Sequence, residues 1–362
     1  MDFDNQQAFD DYFDQWGATY DRQAGRFGET TVDCVLAGHT IRLRFAGDGL
    51  QFLADPLSHL ISRDSQSNLS GPGCDRDPFE ILIFHRAGST DEIPLPPWNI
   101  EVTGAGNPDS WRREQGNTFV NHVPSIGFLQ LWNRRKRQAI YWIDRIERLS
   151  FWEVAAPFRT IFRWWAEEHG FQLAHAAVVG RDGSGVLLAG RSGQGKSTTA
   201  ATCLDAGLDY VSDDYVLVSR QTHPTAYCLY NSAKLHSHLL QSHFPHWQHR
   251  VVRHIGPESK SLFFVHRSCP DQLKDHLRLA AVVCPQLTDR EESRCVANSR
   301  AEAMRAVGPS TVLPHASCRS SGFSFLANLI RQLPSYRLEL GPIPTSPQAI
   351  VGLLRRQAAR AV

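Results

Sequence analysis

Eight consecutive residues, Gly190-Arg191-Ser192-Gly193-Gln194-Gly195-Lys196-Ser197, meet the pattern G-x-x-x-x-G-K-[ST] at every fixed position. Glycine at these places lets successive backbone N–H groups turn inward and form a nest for anions. A helix expected from about Ser197 to Ala206 would bring its positive end to the same spot. Lys196 is then placed to bridge the β- and γ-phosphates of a nucleoside triphosphate, and the Ser197 hydroxyl to ligate Mg²⁺. The loop from Gly190 to Thr198 is therefore expected to bind ATP with Mg²⁺. The motif follows the apolar run Val186-Leu187-Leu188-Ala189, which reads as a strand, and opens a helical segment. That strand–loop–helix context separates it from a chance glycine-rich turn.

A phosphate cradle still needs an acceptor and something to activate it. Leu208-Asp209-Tyr210-Val211-Ser212 reads as a short strand ending in Asp213-Asp214, and Tyr215-Val216-Leu217-Val218 continues as strand. Two carboxylates at a strand end can divide two tasks, one holding Mg²⁺ directly or through water, the other accepting the proton of an attacking hydroxyl. A lone Asp pair can also be a turn or a helix cap, but beside a phosphate loop the chemical reading is stronger. His175 lies in the apolar stretch Leu173 to Val179, the first strand expected in this part of the chain. A single histidine in such a strand is ordinarily a satisfied core residue.

Several elements must position these groups. Strand, loop, helix and strand in succession imply an α/β nucleotide-binding domain. Ahead of it, Trp152 to His169 reads as one amphipathic helix closed by Gly170, a connector rich in tryptophan. The domain boundary is placed near residue 150, giving a β-rich α+β N-terminal domain over 1–150 and the P-loop domain over 151–362. In the first domain, Thr31 to Leu36 and Thr40 to Phe45 flank Ala37-Gly38-His39 as a hairpin, and Ser65 to Asp77 reads as a loop. Phe9, Phe13, Trp16 and Tyr20 form one helical stripe, which either docks a partner or packs on its own domain. Arg134-Arg135-Lys136-Arg137 lies between two apolar runs, where it could hold acids or phosphates or be a solvated hairpin turn.

Composition narrows the classes. The chain has 362 residues, 42 % hydrophobic and 21 % charged, with a net charge of +1. This is ordinary for a folded chain and gives no global field for nucleic acid or an anionic membrane. The eight cysteines include no C-x-x-C pair, so they are expected as buried thiols in a reducing cytoplasm. The start Met1-Asp2-Phe3-Asp4 is acidic and unlike a secretory signal, and no apolar run is long enough to span a bilayer.

Leu173-Ala174-His175-Ala176-Ala177-Val178-Val179, Gly185 to Ser197, and Val211-Ser212-Asp213-Asp214-Tyr215-Val216 together resemble the HPr kinase/phosphorylase superfamily. That family has a histidine on the strand ahead of a Walker A loop and a strand ending in paired aspartates. The likeness is greatest to its divergent branch of kinases acting on a precursor-peptide serine, as in lasso-peptide clusters. The resemblance implies a catalytic fold akin to the ATP-dependent phosphoenolpyruvate carboxykinases. It implies Asp213 as general base, Asp214 and Ser197 at the metal, His175 near the transferred group and positioning the base, and Lys196 with the loop amides on ATP. Relatives are often hexamers, so a homo-oligomer is possible. Thr198 stands where the bifunctional enzymes carry Glu, and Asn231-Ser232-Ala233-Lys234-Leu235 occupies the place of their Glu-Ile-Arg-Gly segment. Phosphorylase activity and the carrier protein HPr as substrate therefore lose their basis. Lys234 or Lys260 could replace the missing arginine as a phosphate clamp, surface lysine being the plainer reading of each.

The expectation is thus an ATP-dependent kinase that phosphorylates a serine of a peptide or protein by in-line transfer. A small-molecule hydroxyl kinase and a P-loop ATPase or nucleotide-binding regulator are the alternatives. No Leu-Ser-Gly-Gly-Gln-like signature of an ABC ATPase and no His-Arg-Asp or Asp-Phe-Gly set of a eukaryotic-type kinase follows the loop.

Overall fold

Alternation of buried and exposed residues sets each half of the chain around its own sheets. The computed structural model describes residues 6–61, 78–86, 93–94, 96, 111–255, 259–311, 319–343 and 345–361. The expected loop from Ser65 to Asp77, with Cys74, and Cys318 lie outside the described residues. The chain packs as two units, Met1–Trp165 and Ala166–Val362. The division falls inside the tryptophan-rich connector, past the boundary near 150 expected from sequence.

The first unit is a seven-stranded mixed sheet with helices against it. Its strands are Glu29–Leu36 (β1), His39–Ala46 (β2), Phe79–His85 (β3), Trp111–Gln115 (β4), Thr118–Val123 (β5), Phe128–Asn133 (β6) and Gln138–Ile143 (β7), in the order β1-β2-β3-β7-β6-β5-β4. The β1–β2 hairpin turns on Ala37 and Gly38, both left-handed with φ of 50° and 85°. That is the primed turn geometry whose twist suits flanking strands. Helix Gln6–Phe27 (α1) buries Phe9, Tyr12, Phe13, Trp16 and Tyr20 against Leu82, Phe84, Ile140 and Trp142 of the sheet. The aromatic stripe therefore packs on its own domain. The four cations Arg134–Arg137 form the β6–β7 turn; Lys136 pairs with Asp14, and Arg134 lies 4.9 Å from the Phe119 ring.

The connector is two helices, Phe151–Ala155 (α2) and Arg159–Glu168 (α3), not the single helix expected. Pro157 and the left-handed Phe158 (φ 57°) interrupt it, because proline breaks the amide ladder. Phe158 packs edge-on to Tyr141, whose hydroxyl donates to the buried Glu153 carboxylate at 3.0 Å. Gly170 ends the segment at φ 76°, as a C-cap should.

The second unit contains strands Phe171–Ala174 (β8), Ala177–Arg181 (β9), Ser184–Leu188 (β10), Asp209–Ser212 (β11), Val216–Ser219 (β12), Thr225–Cys228 (β13), Ser232–His236 (β14), Arg253–Ile255 (β15), Lys260–Phe264 (β16), His276–Leu287 (β17), Arg294–Ala297 (β18) and Ser335–Leu340 (β19). Its helices are Lys196–Asp205 (α4), Ser237–His243 (α5), Val265–Ser268 (α6), Arg300–Thr311 (α7), Arg319–Gln332 (α8) and Ser346–Ala361 (α9). The main sheet runs β11-β9-β10-β17-β13-β12-β8, with β19 on β17 and β18 on β19. β10, β17 and β19 are mutually parallel, so their carboxyl ends share one edge, where α/β sheets hold ligands. One face buries Val179, Val186, Leu188, Val283 and Leu338 under α4 and α9, and the other buries Val178, Leu187 and Val282 under α7 and α8. Each such Val or Leu contributes about 1.5–3 kcal/mol. β14-β16-β15 form a separate small sheet. The six described cysteines are free thiols.

Candidate active site

The loop between β10 and α4 has the backbone its glycines require. Gly193 and Gly195 take φ of 80° and 91°, values that side-chain-bearing residues rarely adopt. A Cβ at Gly195, the first cap of α4, would come 2.7 Å from Leu340 Cδ1, and one at Gly190 would come 2.6 Å from Gln194 Oε1. That same Oε1 accepts from the Arg191 amide at 2.9 Å and pins the loop. Lys196 is buried, and its Nζ donates to the Gly190 and Arg191 carbonyls at 2.8 and 3.2 Å. Burial holds its ammonium below the ordinary value, against the raising pull of Asp213 and Asp214.

Two strand breaks meet in front of this loop. β8 runs into β9 through His175 and Ala176, and β11 runs into β12 through Asp213, Asp214 and Tyr215. β9 pairs antiparallel with β11, and β8 with β12; Val178 lies opposite Ser212 and Ala174 opposite Val216. The unpaired residues of both breaks are thereby brought opposite one another. His175 is thus not within a strand, as expected, but at the bend where pairing changes partner. That frees its ring to leave the core: the side chain is 25 % exposed and stacks on Tyr215 at 5.2 Å.

The two aspartates have different surroundings. Asp214 Oδ1 lies 2.8 Å from His175 Nε2 and its Oδ2 accepts from Lys234 Nζ at 2.5 Å. Burial opposes its ionisation, but Lys234 and then His175 outweigh that and hold it well below the ordinary carboxylate range. Asp213 is 3 % exposed. Its Oδ2 accepts from the Lys234 amide at 3.1 Å, while Oδ1 accepts no hydrogen bond among the described residues. Burial and the neighbouring Asp214 charge push it up, although the Ser197 hydroxyl stands near enough to favour the ionised form. An acid kept above its usual range with an unengaged oxygen is suited to proton transfer.

Gly190 to Thr198, His175, Asp213 and Asp214 are thus gathered at one place, with Lys196 within electrostatic reach of both aspartates. Sequence reading undervalued Lys234. It is not a surface lysine: β14 carries it onto the aspartates, and burial, which would lower it, is overcome by Asp214. Its spacing from Asp213 depends on the small sheet, so no local pattern signals it. Lys260, on the paired strand β16, also acts on Lys196. A cavity of about 190 Å³ beside Arg220, Phe325 and Asn328 contains none of these groups.

The Ser197 hydroxyl and the carboxylates beside it are oxygen donors of the kind Mg²⁺ takes, and the glycine nest suits phosphate oxygens. The residues present therefore fit Mg·ATP. No protein-family model and no curated protein matches the chain. Among solved structures it is similar to the Hpr(Ser) kinase/phosphatase from Coxiella burnetii, at 15 % identity and a TM-score of 0.29, over 52 % of this chain and 98 % of that one. A TM-score of 0.29 carries no argument about activity, which has to come from the loop and its facing acids.

Proposed function

We propose that this chain is an ATP-dependent phosphotransferase that moves the γ-phosphoryl group to a serine hydroxyl of a peptide or protein. One observation carries the reading: Asp213, buried and pushed up, with an Oδ1 that accepts no hydrogen bond among the described residues, stands beside the glycine-rich loop at Ser197. A protein that only bound nucleotide would have no use for such a base there. The separately packed N-terminal unit supports a large acceptor over a small metabolite, since a metabolite needs no second docking surface.

The residues divide the work. The loop amides from Arg191 to Thr198 hold the phosphates, and Lys196 turns from the loop carbonyls to the β- and γ-oxygens. Asp213 orients the acceptor hydroxyl and takes its proton as the oxygen attacks phosphorus and the bond to ADP breaks. His175, held by Asp214, stands next to the transferred group. Ser197 would hold Mg²⁺, which when bound would neutralise charge on the phosphates. Positioning and electrostatics supply most of the catalysis in such transfers. The test compares ATP binding and transfer in Lys196→Ala and Asp213→Asn. Loss of binding in the first, and loss of transfer with binding kept in the second, are expected. Wild-type transfer by Asp213→Asn would remove the assignment.

A further inference from the structure

We infer that Lys234 is the positioning residue that fixes both aspartates, and that Asp214 is thereby the anchor of a His175–Asp214–Lys234 triad rather than a ligand of the metal. Three hydrogen bonds carry this. Lys234 Nζ takes Asp214 Oδ2 at 2.5 Å, His175 Nε2 lies 2.8 Å from Asp214 Oδ1, and the Lys234 amide takes Asp213 Oδ2 at 3.1 Å. One residue of β14 therefore holds the pair with its side chain and its backbone at once. Both oxygens of Asp214 are engaged, one of them by an ammonium that a divalent cation would have to approach or displace. Asp213 Oδ1 is the oxygen of the pair left without a hydrogen bond among the described residues. The geometry is that of a clamp that engages three of the pair's four carboxylate oxygens, and it directs Lys234 Nζ to Asp214 rather than to a phosphate.

Two further features support a positioning role. Residues 213–215 and 175–176 lie outside strand pairing, so the ladder itself does not fix their side chains. Lys234 enters from a different sheet, paired through Leu262 of β16, and ties both breaks together. The side chains of the pair are shielded, 18 % exposed for Lys234 and 23 % for Asp214, so water does little to replace the contact. A buried charge pair truncated on one side leaves the other uncompensated, so the arrangement holds only while Lys234 is present.

This inference rests on the phosphotransferase reading, and the experiment separates the two. Full-length wild type, Lys234→Met and Lys234→Arg would be compared by calorimetric titration with Mg·ATP, by electron paramagnetic resonance of Mn²⁺ added with ATP, and by turnover of γ-labelled ATP. For Lys234→Met the expected result is a Kd for Mg·ATP within about twofold of wild type and turnover reduced at least tenfold, with partial recovery in Lys234→Arg. Mn²⁺ affinity with ATP should survive Asp214→Asn. A weakened ATP Kd with unchanged turnover would make Lys234 a phosphate clamp and overturn the inference, as would loss of protein-bound Mn²⁺, read as a rise in the free Mn²⁺ signal, in Asp214→Asn. If Lys234→Met fails to fold, Lys234→Arg decides on the same split: an unchanged turnover with weaker ATP binding overturns the inference. Failure of wild type to bind Mg·ATP would instead remove the phosphotransferase reading itself.

Discussion

At the scale of the residue, Asp213 and Asp214 are adjacent in sequence and opposite in environment. Burial and its neighbour's charge push Asp213 above 3.8, whereas Lys234 and His175 overcome burial and hold Asp214 below it. The base must be ionised to accept a proton, so transfer should rise with pH through the folded value of Asp213, with a midpoint above 3.8. A pH–rate profile whose acid limb lay at or below 3.8 would contradict that. Stability moves in the same direction through Asp214, at lower pH. Its lowered value contributes stability that is present above 3.8 and lost as pH falls through the folded value. Asp213→Asn keeps the shape and removes the base, so transfer should fall about 10²–10⁴-fold with ATP affinity unchanged. The pairing of residue types, Gly-Lys-Ser with Asp-Asp and a preceding His, was legible in the sequence. The partner of Asp214 was not, because Lys234 reaches it through tertiary contact alone.

At the scale of the element, the site is made by interrupted strands. Apolar periodicity over Leu173 to Val179 suggests one continuous strand; hydrophobicity does not show where pairing changes partner, and so it hid the bend at His175. The same limit hid the break at Pro157, although the proline was in plain view. The backbone of the Gly190–Ser197 loop, by contrast, was legible in the sequence, because Gly193 and Gly195 take left-handed φ. Gly195→Ala should show this. A Cβ there is strained at φ 91° and meets Leu340 at 2.7 Å. The left-handed strain alone costs about 1–2 kcal/mol, and ATP affinity should fall at least tenfold by calorimetry. An affinity equal to wild type would mean that the loop does not hold the phosphates in this form.

At the scale of the whole molecule, the chain is two packed units with separate cores. No helix among the described residues is long and apolar enough to cross a membrane. Composition and strand signals conveyed the β-rich first half and the α/β second half, but the division within α3 follows from packing, which no linker composition marks. Trp16, on the buried face of α1, is 1 % exposed and its ring lies 4.8 Å from that of Trp142, tilted by 52°. Trp16→Ala should cost the first unit about 3–5 kcal/mol. Calorimetric scanning should then show one transition lowered and insensitive to ATP, and a second that ATP still raises. A single transition moved as one would mean the units fold together.

The most direct measurement of the central claim is mass and label together. The purified chain would be incubated with γ-labelled ATP, Mg²⁺ and serine-containing peptides encoded beside its gene. Gain of one labelled phosphate on a serine, absent with Lys196→Ala and with Asp213→Asn, is the predicted result. Release of all the label as inorganic phosphate, with every peptide unchanged in mass, would contradict it.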